Sequence, residues 1–175
     1  MKKARTLITL PEGSAPLAKA AKAVLEGASR TRAKAVLAEA SPETGADSFD
    51  FVFLGCASYW GAPSLREFVE SNDWNGKKVA VFSVGASKEA LEALSETLSE
   101  KGASVIATLD LRLGGLLSFA GFGGLSEQDL IRARGFGERT ANTAFSFKVP
   151  KNKEKHHIKG YLKQKKRGGR RRRKK

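Results

Sequence analysis

The fold is decided by one short apolar stretch, Phe49-Asp50-Phe51-Val52-Phe53-Leu54-Gly55. Its side chains are apolar at consecutive positions from Phe51 to Leu54, instead of alternating with polar ones. A strand of this kind is buried on both faces, as in a parallel sheet that helices cover on each side. The stretch therefore predicts a central strand of an α/β domain.

The sequence on either side of this strand predicts alternating strands and helices. The other predicted strands cover residues 5–10, 33–40, 77–83 and 103–109. Four predicted helices begin near Leu17, Ser64, Ser87 and Ser126, and the last one ends near Phe145. No two strands are joined by a turn of hairpin length. This order predicts a doubly wound, five-stranded parallel sheet between two layers of helices.

Capping side chains mark three of these helix starts. Ser64 with Glu67 has the spacing of a capping box, and Ser126 with Asp129 opens the last helix. Ser87 stands directly before the third helix and is predicted to cap it.

The net charge of +14 is confined to the end of the chain. Residues 148–175 hold 15 Lys and Arg and a single acid, Glu154, whereas residues 1–147 hold 17 basic and 17 acidic residues. Residues 1–147 are therefore predicted to form the α/β domain. Residues 148–175 carry too little apolar surface to offset the entropy of ordering, so they are predicted to be a disordered basic tail.

A reducing cytoplasm is the expected compartment, because the one cysteine, Cys56, has no partner within the chain. The segment Met1–Arg5 runs into a strand without the apolar stretch or cleavage site of a signal peptide. No apolar run approaches the roughly 20 residues that span a bilayer, so no transmembrane segment is predicted.

Three segments carry a resemblance to a known family. Phe51–Pro63, followed by Leu65-Arg66-Glu67-Phe68, resembles the third strand and flavin-flanking loop of flavodoxins. Asn75–Gly85 is similar to their fourth strand and the loop after it, and Arg132–Arg139 to their last helix. The resemblance spans roughly residues 5–145 in order. It implies a flavodoxin-like fold, non-covalent binding of FMN and electron transfer to a redox partner that the sequence does not identify.

The phosphate of FMN would need free N–H groups and hydroxyls at the start of the first helix. The resemblance implies Gly13 and Ser14 for this position, where flavodoxins have a loop rich in Thr and Ser. Glu12 adds a negative charge there, and Pro16 has no N–H to donate. The alternative interpretation is that Ser14 only caps the helix.

The flavin ring would need flat walls and backbone groups from the loops beyond the strands. By resemblance, the residues expected around the ring are Ala57, Ser58, Tyr59, Trp60, Gly61, Ser83, Val84, Gly85 and Arg112. Tyr59 is the expected stacking residue. Alternatively, the two aromatic residues only cover the end of the sheet, residues 83–87 only form a turn, and Arg112 is merely an exposed arginine.

Two further features lie near this edge of the sheet. Cys56 is either a redox-active thiol or a buried packing residue, and nothing adjacent is cationic enough to lower its pKa. The loop 114–124 combines five glycines with four large apolar side chains. It is either a lid, a docking surface for a partner or a loop packed onto the core.

No catalytic residue is predicted, because the sequence contains no metal-ligand spacing, P-loop or dinucleotide fingerprint, and both histidines lie in the tail. The leading hypothesis is an FMN-binding electron-transfer protein that its tail tethers to polyanions. The competing hypothesis is a flavin-free flavodoxin fold that serves as a binding or scaffold module on RNA or DNA.

The density of positive charge in the tail predicts contacts with nucleic-acid phosphates. The expected contact residues are Lys163, Lys165, Lys166, Arg167, Arg170, Arg171, Arg172, Arg173, Lys174 and Lys175. An anionic membrane surface, an acidic protein and a merely solubilising role are the alternatives.

Overall fold

The computed structural model describes residues 4–58, 62–113 and 124–145, which form alternating strands and helices. The strands are β1 (Arg5–Leu10), β2 (Lys34–Glu39), β3 (Phe51–Cys56), β4 (Lys78–Val84) and β5 (Ser104–Leu111). The helices are α1 (Ala15–Ser29), α2 (Pro63–Ser71), α3 (Lys88–Glu100) and α4 (Glu127–Ala144). Between β2 and β3 the chain forms one 3-10 turn, Ala46–Ser48.

All strand pairs are parallel, and the order across the sheet is β2-β1-β3-β4-β5. The chain leaves β1 for β2 on one side and returns to place β3 on the other, so the order reverses between β1 and β3. The predicted doubly wound sheet is confirmed. Every residue of β3 is buried, as its apolar run predicted.

Helices cover both faces of the sheet. On one face α1 and α4 pack against Ile8, Phe53 and Phe82. On the other, α2 and α3 pack against the opposite side chains of the same strands, among them Val52 and Val81. The three predicted layers are therefore confirmed, and the carboxyl ends of the strands are left open at one edge.

The helices α1 and α4 approach each other closely because each has a glycine at the crossing. A Cβ on Gly27 would collide with the backbone carbonyl of Arg134, and one on Gly137 would collide with that of Val24. Only the absence of side chains allows this spacing, and overlap with backbone cannot be relieved by a rotamer change. Sequence reasoning did not assign these two glycines a role.

Two of the three predicted caps are confirmed and one is wrong. Ser87 accepts the N–H of Ala90 at 3.2 Å, and Ser126 and Asp129 form the reciprocal capping box. The capping box predicted for Ser64 is absent, because α2 already begins at Pro63 and its N-cap residue is Ala62, whose side chain has no acceptor. Proline suits the first turn of a helix, where its missing N–H is no loss.

The end of α4 is tied to the start of β4, since Lys78 Nζ donates to the carbonyl oxygen of Ala144 at 2.9 Å. A cation at the C-terminus of a helix complements the helix dipole. The predicted boundary between residues 147 and 148, and the whole predicted tail, lie outside the described residues.

Candidate functional site

The candidate site is the edge at which the carboxyl ends of β1, β3, β4 and β5 meet. Ligands of open α/β sheets bind beyond this edge, in the crevice where the strand order reverses. Here that crevice lies between the loop after β1 and the loop after β3. Gly13 and Ser14 therefore lie at the same edge of the sheet as Ala57 and Ser58.

A cavity of about 580 Å³ opens beside the loop after β1. Its walls are the β1–α1 loop (residues 11–14), the first turn of α1 and the last residues of β2 (37–39). Apolar groups such as Leu10, Ala18 and Leu37 line its interior, while Glu12 and Glu39 stand on its rim.

The two rim carboxyl groups interact directly. Glu39 donates a hydrogen bond to Glu12 when it is protonated, and this bond, followed by the repulsion from the Glu12 charge, raises the pKa of Glu39 above its ordinary value. Two adjacent carboxyl groups resist simultaneous ionisation, which adds to the effect of the hydrogen bond. The rim is consequently a place of concentrated negative charge.

Two N–H groups in the first turn of α1 are already paired with Ser14. The hydroxyl of Ser14 already accepts the N–H of Leu17 at 3.4 Å, and the Ser14 carbonyl accepts that of Ala18 at 2.9 Å. Pro16 has no N–H. Gly13 adopts a positive φ of 94°, which forms the tight turn into the helix. Ser14 is thus the N-cap of α1, as the alternative interpretation of the loop expected.

The loop after β4 is held by the neighbouring strand. The N–H of Gly85 donates to the carbonyl oxygen of Leu111 at 2.8 Å, and its φ is +64°. A Cβ at Gly85 would stand 3.0 Å from Leu113 Cδ1, so Leu113 packs closely over this glycine. Val84 is buried. This rim of the edge is therefore apolar, and Ala57 packs against the same core.

A row of three side chains crosses the other face of this edge on three adjacent strands. Cys56 pairs in register with Ser83, and Ser83 with Asp110. The Ser83 hydroxyl donates to Asp110 Oδ1 at 2.9 Å, while Arg112 Nε lies 3.7 Å from Asp110 Oδ2. The Arg112 side chain is 92% exposed, so solvent screens this ion pair. Burial, and then the charge of Asp110, raise the pKa of the Cys56 thiol to about 12. The packing interpretation of Cys56 is therefore the one that its burial supports.

The structure describes only part of the predicted site. Tyr59, Trp60 and Gly61 lie outside the described residues, and so does most of the glycine-rich loop 114–124. Within residues 4–58, 62–113 and 124–145, no cluster of His, Cys, Asp and Glu has the composition of a metal site. In the same ranges no helix has the length and apolar character required to cross a bilayer.

Solved flavodoxins resemble this arrangement over almost their whole length. An archaeal flavodoxin has a TM-score of 0.61 and 16% identity, with 81% of this chain and 99% of that chain covered. Oxidised flavodoxin 2 from Bacillus cereus has a TM-score of 0.62 and 22% identity, with 83% and 100% covered. The chain has a flavodoxin-like fold. The domain also resembles part of the Flv1 flavodiiron core of Synechocystis, with a TM-score of 0.62, 15% identity, and 83% of this chain against 37% of that chain covered. No protein-family model and no curated protein sequence matches the chain.

The flavodoxin-like domain fits the two halves of FMN unequally. The β1–α1 loop does not fit a phosphate dianion, because the carboxyl groups of Glu12 and Glu39 flank the cavity. The apolar rim formed by Ala57, Gly85 and Leu113 is of the kind that an isoalloxazine ring packs against.

Sequence reasoning missed Glu39 as a participant at this edge and the contact of Asp110 with Ser83, although it noted Glu12 and the end of β5. The signal for Glu39 was its place as the last residue of a strand that lies beside β1 in the doubly wound order. The signal for Asp110 was an acid at the end of a strand in register with the end of β4.

Proposed function

We propose that the flavodoxin-like domain binds a flavin at the carboxyl edge of its sheet and acts as an electron-transfer protein. The observation that carries this proposal is the reversal of strand order between β1 and β3. It opens a crevice beside an apolar rim, in a domain that matches flavodoxins across 99% to 100% of their chains. FMN is the flavin that the resemblance implies, and it is the first to test.

The chain's own residues would supply the binding surface, and the flavin would supply the redox chemistry. Apolar surface is provided by Ala57, which follows β3, and by Leu113, which follows β5 and packs over Gly85. Tyr59 and Trp60 follow Ala57 by two and three residues, and we propose Tyr59 for stacking. Ser83 and Asp110 are hydrogen-bonded to each other, which holds the ends of β4 and β5 in place beneath the site.

A second candidate function is a flavin-free domain that serves as a binding or scaffold module on RNA or DNA. The pair of carboxyl groups at the β1–α1 loop favours it, since they stand where a flavin phosphate would need positive partners. On this alternative, the positive charge of residues 148–175 would carry the function.

Under either candidate, we propose that the tail binds nucleic-acid phosphates through Lys163–Lys175 and that the domain ends near residue 147. The support is the division of charge, which leaves residues 1–147 neutral and puts the whole excess in the tail. The compartment we propose is the cytoplasm, where a single buried thiol such as Cys56 would stay reduced.

The two candidates are separated by the visible absorption of the purified full-length protein, recorded before and after addition of FMN and desalting. Flavin bands that stay with the protein would support the electron-transfer function. A colourless protein that also gives no absorption change in the presence of excess flavin would contradict it and leave the scaffold function.

A further inference from the structure

We propose that Glu12 and Glu39 make the flavin site select against a phosphate group, so that the chain binds riboflavin in preference to FMN. This inference rests on the proposed flavin-binding function. The phosphate is the substituent that the site would tolerate least, because of the side chains of Glu12 and Glu39.

Glu12 and Glu39 lie beside the helix start at which a flavin phosphate would bind. The end of a ribityl chain, and any phosphate on it, lies at the N-terminus of the helix that follows the first strand of such a fold. In this chain the cavity at that helix is bounded by Glu12 from the loop and by Glu39 from the neighbouring strand β2. A phosphate seated at α1 would therefore face carboxyl groups from two different elements.

The charges at this helix start favour a neutral hydroxyl over a phosphate. FMN carries a phosphate with a charge near −2 at neutral pH, whereas riboflavin ends in a neutral hydroxyl. The dipole of α1 supplies only about half a positive charge at its N-terminus. Two neighbouring carboxyl groups that already repel each other exceed that contribution, and none of the described residues that line the cavity is Lys or Arg. A hydroxyl, in contrast, can donate a hydrogen bond to either carboxyl group.

The hydrogen-bonding groups at the start of α1 also differ from those of a usual phosphate site. A phosphate at such a site is normally held by hydroxyls and by several unpaired N–H groups. Here the loop has a single hydroxyl, that of Ser14, and Pro16 has no N–H. A phosphate at this loop would therefore depend on one hydroxyl and on backbone N–H groups, with no cationic side chain among the described residues that line the cavity.

The test compares riboflavin with FMN on the full-length protein, by equilibrium dialysis at one fixed salt concentration. The proteins are the wild type, Glu12→Gln, Glu39→Gln, the double variant and Glu100→Gln. The last is a matched control, because Glu100 is exposed and ends α3 at the opposite edge of the sheet. The basic tail is the same in all five proteins, so its attraction for FMN cancels when their affinity ratios are compared.

We expect the wild type to bind riboflavin more tightly than FMN by about fivefold, the upper scale of one exposed charge–charge interaction. The double variant should bring the ratio close to one, chiefly through tighter binding of FMN, while Glu100→Gln keeps the wild-type ratio. A wild type that binds FMN at least as tightly as riboflavin would overturn this inference and leave the proposed function standing. So would a ratio that the double variant does not change. Binding of neither flavin by any of the five proteins would overturn the proposed function and this inference together.

Discussion

Glu12 and Glu39 bring two carboxyl groups into hydrogen-bonding reach across the rim of the cavity at the start of α1. They are distant in sequence and meet because β2 lies parallel to β1, so that Leu10 and Glu39 are partners at the ends of the two strands. The pair gives the β1–α1 loop a negative character in a fold whose solved relatives include flavodoxins. We expect the pair to affect stability as well as ligand choice.

We expect Glu12→Gln to raise the stability of the domain at neutral pH. The pKa of Glu39 is raised in the folded state, so its contribution to stability is fully present below the ordinary glutamate pKa and is lost as pH rises through the raised value. Replacing Glu12 removes the cause of the shift. Thermal unfolding measured from pH 3 to pH 8 checks this: the variant should melt above the wild type at pH 7, and the difference should vanish below about pH 4.

Glu100→Gln is the control for that series, since it removes one exposed carboxyl group at the opposite edge of the sheet. Because a carboxylate at the end of a helix opposes the helix dipole, its melting temperature should rise slightly at neutral pH, and that of Glu12→Gln should rise further. A Glu12→Gln variant that melts below the wild type at pH 7 would show that the two carboxyl groups do not repel each other in the folded protein.

The sequence predicted the sheet better than it predicted the helix contacts or the rim. The consecutive apolar residues Phe51–Leu54 directly predict a strand that is buried on both faces. The alternation of strands and helices then leaves few possible sheet topologies. The meeting of Glu12 with Glu39 depends on strand order and register, which no local pattern encodes. The role of Gly27 at the helix crossing likewise depends on a distant segment, since its counterpart is Gly137 on α4.

Gly137→Ala should destabilise the domain by about 1–3 kcal/mol through overpacking at the contact between α1 and α4. The added Cβ would stand 3.1 Å from the Ala28 backbone nitrogen and would overlap the carbonyl of Val24. Alanine gains only about 1 kcal/mol over glycine in helix propensity, which does not offset an overlap with backbone. Denaturant unfolding of the variant provides the measurement.

Gly135→Ala is the matched control in the same helix, because its Cβ would meet only the mobile end of the Arg139 side chain. There the propensity gain is expected to dominate, with stability raised by up to about 1 kcal/mol. Equal effects of the two substitutions would contradict the close crossing of α1 and α4.

The Cys56 thiol should resist chemical modification while the domain is folded. Burial, with a further contribution from the Asp110 charge, raises its pKa to about 12, so at pH 8 almost no reactive thiolate is present. Reaction with an aromatic disulfide reagent should be slow in native buffer and complete in guanidinium chloride. Asp110→Asn should preserve most of the protection, since burial is the larger cause, whereas rapid labelling of the native protein would contradict the packing role.

The tail prediction concerns the salt dependence of nucleic-acid binding. Each phosphate contact on duplex DNA contributes about −0.9 to the slope of log K against log salt, so six contacts would give a slope near −5. Replacing Arg170–Arg173, Lys174 and Lys175 by Gln in the full-length chain should make the slope much shallower. Fluorescence anisotropy of a labelled duplex measures it, and an unchanged slope would contradict binding through the tail.

Flavin binding at the carboxyl edge is tested most directly by backbone amide NMR of the full-length protein during titration with riboflavin and, separately, with FMN. We expect the chemical-shift changes to concentrate at Ala57, Gly85 and Leu113, with Asn75 and Gly102 at the opposite edge of the sheet unaffected. Shifts that are absent with both flavins, or that concentrate around Asn75 and Gly102, would contradict a flavin site at this edge.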